Sequence, residues 1–217
     1  MDVYPDSARP HYPRVTEIIS VTDKPEDKER LRKWQHKMNS LAQEKGTPAA
    51  ETISQEARDK GTVFHEAIRV YCLTGIEPLF SGEQRTRWQC AFPHLKRIKA
   101  DFLCLEQEVY SDKLQYIGHL DCLAWRDDRL AIVDWKTSAR FKKRAWIDNY
   151  FIQGAAYAIA AFECGIAPQL PDEIEIYVMS PTRTQVFVES VAAIGPSWIQ
   201  RLNQFKALSA TKFQEVA

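Results

Sequence analysis

An acid and a lysine stand close together in an apolar segment. Asp134 and Lys136 alternate with Val133 and Trp135 in the sequence Val-Asp-Trp-Lys. Because alternate side chains of a β-strand project from the same face, this spacing predicts a carboxylate and an ammonium group side by side. Such a pair can take part in metal-assisted hydrolysis of phosphate esters, although an exposed ion pair is the ordinary meaning of so short a motif.

A second acid, Asp121, lies one predicted strand earlier in Gly118-His119-Leu120-Asp121. We expect it to face Asp134 across a hairpin. Two facing carboxylates repel each other unless a hard cation lies between them. Alternation along this strand predicts two sets of side chains on opposite faces: His119, Asp121 and Leu123 on one, and Gly118, Leu120 and Cys122 on the other.

Further oxygen ligands are available nearby. Glu108, on the strand before the hairpin, could supply a third carboxylate, and the backbone carbonyl of Trp135 could supply another oxygen. Glu106 competes with Glu108, since alternation places both on one face of the strand. An oxygen-rich, open site of this kind suits Mg²⁺ or Mn²⁺ better than zinc.

Hydrophobic periodicity predicts the elements that position these residues. Helical spacing covers 26–41, 54–73, 82–100, 146–164 and a last segment after Pro196, and Pro93 should kink or split the third helix. Strand patterns cover 103–110, 115–125, 129–136, 173–179 and 185–191, of which the first three form an antiparallel meander. This order predicts an α/β fold, with a mostly helical N-terminal part (1–53) and a catalytic core (54–217).

Composition limits the class of protein. The chain has 217 residues, 45% of them hydrophobic, and a formal net charge of zero, so any nucleic-acid site must come from local clusters of charge. The five cysteines are widely spaced without a C-x-x-C pair, which favours reduced thiols. Without a long apolar run or a signal-like start, we expect an intracellular, cytoplasmic protein with no membrane partner, and a monomer.

Two basic segments are candidates for contact with DNA. The first, 137–146, carries Phe141 and Trp146 among basic residues, which is typical of proteins that stack unpaired bases. A solvated loop with both aromatic side chains in the core is an equal alternative. The second, 28–37 with Trp34, could form one wall of a channel, or simply a charged helix surface. The basic residues of the first segment are Arg140, Lys142, Lys143 and Arg144.

Four spaced elements together form a specific pattern. They are Gly61-Thr62-Val63-Phe64-His65 on the second helix, Gly118-x-x-Asp121, Asp134-x-Lys136, and Gln153 with Tyr157 on one helix face. In this order they resemble the RecB-like branch of the PD-(D/E)xK nuclease superfamily. The likeness covers about 12–179 and is greatest to the group that contains the mitochondrial genome maintenance exonuclease and its bacterial and phage relatives.

The resemblance implies roles for individual residues. It implies a restriction-endonuclease-like core with a central mixed sheet, and Mg²⁺ or Mn²⁺ as cofactor. By the family's spacing it favours Glu108 over Glu106 as the acid that supports the metal, and it implies that Gln153 and Tyr157 shape the site or the DNA path. No cysteine follows Cys164 that could complete an iron-sulfur cluster. The active-site residues that it implies are His65, Asp121, Asp134 and Lys136, with His65 as a further candidate metal ligand.

The expected function is a metal-dependent exonuclease that cuts DNA ends, preferring single strands, in replication, repair or recombination, with proteins of those processes as partners. An endonuclease or flap nuclease with the same chemistry is one alternative. Another is a nucleic-acid-binding module without catalysis, and a third is a structural protein whose acids only pair with basic side chains. The intact set Asp121, Asp134 and Lys136 argues against the last two, because mutually repelling carboxylates are costly to keep without a use.

Overall fold

The structure is a computed structural model that describes residues 11–214, in which six α-helices and five strands are formed. The helices are α1 (Val15–Val21), α2 (Pro25–Lys45), α3 (Ala50–Thr74), α4 (Gly82–Asp101), α5 (Asp148–Glu163) and α6 (Val191–Gln214). The strands are β1 (Phe102–Ser111), β2 (Tyr116–Arg126), β3 (Arg129–Thr137), β4 (Glu173–Met179) and β5 (Thr184–Ser190). A short 3₁₀ turn, Arg144–Trp146, precedes α5.

The strands form one mixed sheet in the order β1-β2-β3-β4-β5. β1, β2 and β3 pair antiparallel as the predicted meander, β3 and β4 pair parallel, and β4 and β5 pair antiparallel. A parallel pair needs a crossover connection, and α5 provides it. This helix lies directly on β4, because a Cβ atom at Gly154 would be 2.3 Å from Ile174 Cγ2.

Helices cover both faces of the sheet. α1, α5 and α6 pack on one face, in a core that contains Phe151 and Trp198. α3 and α4 pack on the other, in a core that contains Phe64 and Trp88. None of the residues of α2 is buried, so this helix projects from the body. No helix within residues 11–214 is both long and apolar enough to cross a bilayer.

α4 and α6 each contain an internal proline. α4 is not split at Pro93, because buried residues on both sides of it, among them Trp88 and Leu95, anchor the helix on the sheet; the alternative prediction of a kink there is not tested. α6 begins at Val191 and not after Pro196, since Val191 is buried and its N–H donates to the carbonyl of Asp172. The expected boundary between residues 53 and 54 lies inside α3, and α1 contributes Val15 to the core.

Candidate active site

Asp134 and Lys136 meet at the end of β3, on the face that α5 covers. The Lys136 Nζ donates a hydrogen bond of 2.7 Å to Asp134 Oδ1, so the prediction that the two side chains share a face is confirmed. The same ammonium lies 5.3 Å from the ring centroid of Tyr150 on α5. Asp134 is 1% exposed, and its Oδ2 has no hydrogen-bond partner among the described residues. A buried carboxylate oxygen is therefore left for a ligand.

The charge on Lys136 is fixed by its acidic neighbours. Burial alone would lower the pKa of its ammonium group, but the charges of Asp134 and Asp121 outweigh burial and raise the pKa above its usual range. Lys136 therefore stays positive at neutral pH. Such a group can stabilise negative charge or orient a water molecule, but it is not a base at this pH.

Asp121 lies where β2 and β3 separate. Their register ends at Cys122 opposite Val133, and the Asp121 Oδ2 accepts a hydrogen bond of 2.8 Å from the backbone N–H of Trp135. The side chain thus replaces a bond of the strand ladder. Burial, and then the charge of Asp134, raise the pKa of Asp121 to about 7. The two carboxylates do repel each other, as the hairpin pattern predicted.

His65 reaches this point from α3. Its Nε2 lies 2.9 Å from the carbonyl oxygen of Trp135 and must carry the proton, because a carbonyl can only accept. Nδ1 then faces Glu106 Oε1 and Asp121 Oδ1, each at 3.6 Å. Burial lowers the pKa of His65, but the nearby carboxylate of Glu106 and the charge of Asp121 produce a net increase. A cation at Nδ1 would satisfy the same two acids.

The third acid of this group is Glu106, and the choice of Glu108 is corrected. A cluster of possible ligand atoms, all within 4.8 Å of one another, is formed by His65, Glu106 and Asp121. Glu108 is exposed and does not belong to this cluster. The Oε1 of Glu106 is buried without a hydrogen-bond partner among the described residues. His119 Nδ1 lies 3.4 Å from Glu106 Oε2, so His119 borders the group from the solvent side.

The reason for the correction is a break in strand alternation. Leu105 packs with the α3/α4 core, whereas Val109 packs with the α5 core, although alternation would place both on one face. The partner strand shows the same change, with Leu120 in the α5 core and Cys122 in the other. The change coincides with Glu106, whose φ of 47° lies in the left-handed region. The prediction that Leu120 and Cys122 share a face was therefore wrong, and so was the strict alternation along β1 on which the pairing of Glu106 with Glu108 rested.

Gln153 and Tyr157 share a face of α5, as predicted, and the Gln153 amide donates 2.8 Å to the Tyr157 hydroxyl. Tyr157 is 4% exposed, so it lies in the core beside the acids and Lys136, and its expected part in shaping the site stays a prediction. Its ring fills the space above Gly118, where a Cβ atom would be 2.4 Å from Tyr157 Cε1. The glycine of one motif and the tyrosine of another are thus parts of one contact, which also supports the strand of Asp121.

A cleft of about 580 Å³ opens over these groups, and its lining includes His65, Glu106, Lys136 and Tyr150. Sequence reasoning did not single out Tyr150. Its spacing from Gln153 and Tyr157 is that of one helix face, and this signal could have found it. Tyr150 connects the cleft to its surroundings, because it also lines a neighbouring groove of about 490 Å³.

That groove lies between α2 and the basic segment. Its lining includes Trp34 and Arg30 from α2, and Lys142 and Trp146 from the segment. Trp146 is 53% exposed and lies under the Lys143 ammonium at 5.3 Å. Phe141 is 47% exposed, so the alternative in which both aromatic side chains enter the core is wrong.

The basic residues of the segment differ in their surroundings. Arg140 is exposed. Arg144 is held at 2.7 Å by Asp148 and at 2.9 Å by Glu189, and its guanidinium carbon lies 4.1 Å from the Phe151 ring centroid. Arg144 therefore anchors the segment on the body, whereas Arg140, like Lys143, presents its charge to solvent.

The five-stranded mixed sheet with helices on both faces is the α/β core with a central mixed sheet that the sequence predicted, and the Asp134–Lys136 pair lies beside Asp121 at the edge of the cleft. No family model matches the chain. Over 134 residues it is 31% identical to mitochondrial genome maintenance exonuclease 1 of Mus musculus, covering 60% of this chain and 38% of that protein. Over 151 residues it is 27% identical to the protein of the same name from Homo sapiens, covering 67% and 42%. The predicted resemblance is confirmed, and the chain spans about two fifths of the length of these relatives.

Among solved structures, the chain is similar to a phage-related exonuclease from Haemophilus somnus 129PT. The TM-score is 0.39 at 12% identity, and the match covers 94% of this chain and 96% of that one.

Proposed function

We propose that this chain is a divalent-metal-dependent nuclease that hydrolyses phosphodiester bonds of DNA from strand ends, with a preference for single strands. One observation carries the proposal. Lys136, Glu106 and His65 line one cleft, Asp121 and Asp134 lie buried beside them, and two buried carboxylate oxygens of this group have no hydrogen-bond partner among the described residues. Relatives named exonuclease support the same reaction.

The donor set fits a divalent cation. The unpartnered oxygens belong to Glu106 and Asp134, and burying them without a partner is costly. Together with Asp121 and the Nδ1 of His65 they would hold the ion. Carboxylate oxygens with one imidazole suit Mn²⁺ and Mg²⁺. When bound, such an ion polarises a phosphate oxygen and lowers the pKa of water.

Lys136 supplies the part of the chemistry that belongs to the chain itself. Its ammonium group is held by Asp134 beside the acids and remains charged at neutral pH. From that place it can donate hydrogen bonds to an attacking water molecule and offset the charge that develops on the phosphate. The His65 Nε2–H, fixed by the Trp135 carbonyl, keeps Nδ1 directed at the acids.

The groove beside the cleft supports a single strand as substrate. Trp34 and Trp146 offer faces on which unpaired bases can stack, and Lys142 offers charge for a phosphate, whereas Arg30 is already paired with Asp27 in the same lining. Tyr150 joins this groove to the cleft, so a strand lying in the groove would enter the cleft beside Lys136. Other members of the expected DNA-binding set, Arg140 and Lys143, border the same segment.

The test is cleavage of end-labelled single-stranded DNA with Mg²⁺ or Mn²⁺, with and without chelator. Lys136→Ala should lose activity by roughly a hundredfold or more, since removal of one transition-state donor commonly costs that much. Binding of the strand should survive. Lys113→Ala, an exposed lysine in the β1–β2 turn, is the control and should cut normally. Equal activity of wild type and Lys136→Ala would refute the assignment.

A comparison of linear with circular single strands separates cutting from ends from internal cutting. The proposal predicts that linear strands disappear and circles persist. Rapid loss of circles would replace the exonuclease by an endonuclease or flap nuclease with the same cleft.

A further inference from the structure

A second polar cavity, of about 270 Å³, lies between the start of α5 and the start of α6. It shares no lining residue with the cleft over His65 and Lys136. Ligand sites for drug-sized molecules occupy roughly 300–1,000 Å³, so this volume suits a phosphate group or one nucleotide. Its polar lining residues are Lys24, Arg144, Asp148, Ser197, Gln200 and Arg201.

Arg201 is the unusual residue of this cavity. It is only 8% exposed, and its Nη1 is buried without a hydrogen-bond partner among the described residues. Its Nη2 donates to Asn149 Oδ1 at 3.3 Å and lies 3.9 Å from Asp23 Oδ1. A buried guanidinium N–H without an acceptor destabilises the protein, and an oxyanion is the ligand that matches it best.

The acids around the cavity are engaged by its basic residues. Asp148 is the carboxylate among the lining residues, and both of its oxygens are engaged, Oδ2 by Lys24 at 3.1 Å and Oδ1 by Arg144 at 2.7 Å. Glu189 binds Arg144 from outside the lining at 2.9 Å. Asp23 approaches the Nη2 of Arg201 from outside the lining, at 3.9 Å, and the Nη1 donor keeps no acceptor among the described residues. α5 also begins at Asp148, and a helix N-terminus attracts negative charge.

The cavity adjoins the groove beside the cleft. Asp148 lines both the cavity and the groove, and Tyr150 lines both the groove and the cleft. We propose that the cavity binds a phosphate group through Arg201 and Lys24. We further propose that this phosphate belongs to the DNA strand whose scissile bond lies in the cleft, a step that rests on the nuclease function.

Inorganic phosphate tests the cavity directly. In the presence of chelator, phosphate should raise the unfolding temperature of the wild type saturably, relative to chloride at equal ionic strength. Arg201→Gln and Lys24→Gln should lose that increase, and Lys206→Gln, an exposed lysine on α6 outside the cavity, should keep it. The Lys24 side chain is 52% exposed, so this variant folds even where Arg201→Gln does not. A wild type without a saturable shift, or a Lys24→Gln variant with an unchanged one, would overturn the proposal.

Strand binding tests the source of the phosphate. In the Lys136→Ala background, Lys24→Gln and Arg201→Gln should weaken anisotropy-measured binding of a long single strand by roughly tenfold. Binding of a dinucleotide should not change. A terminal phosphate is indicated if only 5′- or 3′-phosphorylated strands show the effect, and a backbone phosphate if all strands do. Unchanged strand affinity with loss of the phosphate shift would overturn the strand part and leave a site for free phosphate. A wild type that binds phosphate but never cuts DNA would refute only the nuclease function.

Discussion

Gly118→Ala should destabilise the protein through a single steric contact. The added Cβ atom would lie 2.4 Å from Cε1 and 2.8 Å from Cδ1 of Tyr157, and 3.2 Å from Val15 Cγ2. Ordinary contact begins near 3.4 Å, so the ring or the strand must move by about 1 Å. Tyr157 is 4% exposed and hydrogen-bonded to Gln153, so its ring has little room to move. Overpacking of this kind costs about 1–3 kcal/mol.

Chemical and thermal unfolding measure this cost. In a chain of this length, about 1–3 kcal/mol corresponds to a fall of roughly 2–12 °C in unfolding temperature. Gly195→Ala is the matched control. It lies inside α6, and apart from its chain neighbours no atom is within 4 Å of the new Cβ; because Pro196 restricts the residue before it, the helix propensity of alanine is offset and the change should stay within about 1 kcal/mol.

A double variant tests whether Tyr157 is the cause. Tyr157→Leu removes the ring atoms that clash, so Gly118→Ala in that background should cost clearly less than in the wild type. Equal denaturant midpoints for Gly118→Ala and the wild type would refute the reasoning. A cost that is unchanged by Tyr157→Leu would show that the clash lies elsewhere, at Val15.

Three further predictions concern the cleft and its groove. Glu106→Gln should weaken Mn²⁺ binding by roughly tenfold or more in calorimetric titration, because Glu106 lies with the other ligand atoms. Glu108→Gln is the control and should leave the Mn²⁺ affinity unchanged. Equal affinities of the two variants would restore Glu108 as the candidate third acid. Asp121 must lose its proton to bind a cation, and its pKa in the cation-free protein is raised to about 7. Mn²⁺ affinity should therefore increase from about pH 6 to about pH 8 and then level off, with proton release seen in buffers of different ionisation enthalpy; a flat profile contradicts this. Trp146→Ala should weaken single-strand binding by roughly tenfold without lowering the unfolding temperature, since the side chain is 53% exposed; unchanged affinity would remove stacking at this position.

Sequence reasoning succeeded where geometry is local. The Asp134–Lys136 pair needs only the alternation of one strand, and the position of Asp121 beside it needs only one hairpin with a short turn. The helix spacing of Gln153 and Tyr157 is equally local, and their hydrogen bond follows from it. These features depend on periodicity, which the residues themselves express.

Burial of Tyr157 and the choice of third acid depended on tertiary structure. Tyr157 contacts Gly118 because α5 crosses β2 at that point, and a sequence does not state which strand a helix will cross. The two glutamates, Glu106 and Glu108, are equivalent under strict alternation. Only the left-handed backbone of Glu106 distinguishes them, and glutamate is not a residue type that announces such a conformation.

The break in alternation at Glu106 is connected with what the site requires. His65 approaches from α3 on one face of the sheet, whereas Lys136 lies toward Tyr150 of α5 on the other. A regular ladder would keep side chains from the two faces apart. The groups meet for two reasons. β2 and β3 stop pairing beyond Cys122, so the Asp121 carboxylate accepts the hydrogen bond that a strand carbonyl would otherwise accept. On β1, the alternation of side chains between the two faces is interrupted at Glu106. The irregular backbone therefore brings the acids together, and backbone strain at Glu106 is the cost of a site assembled from both faces.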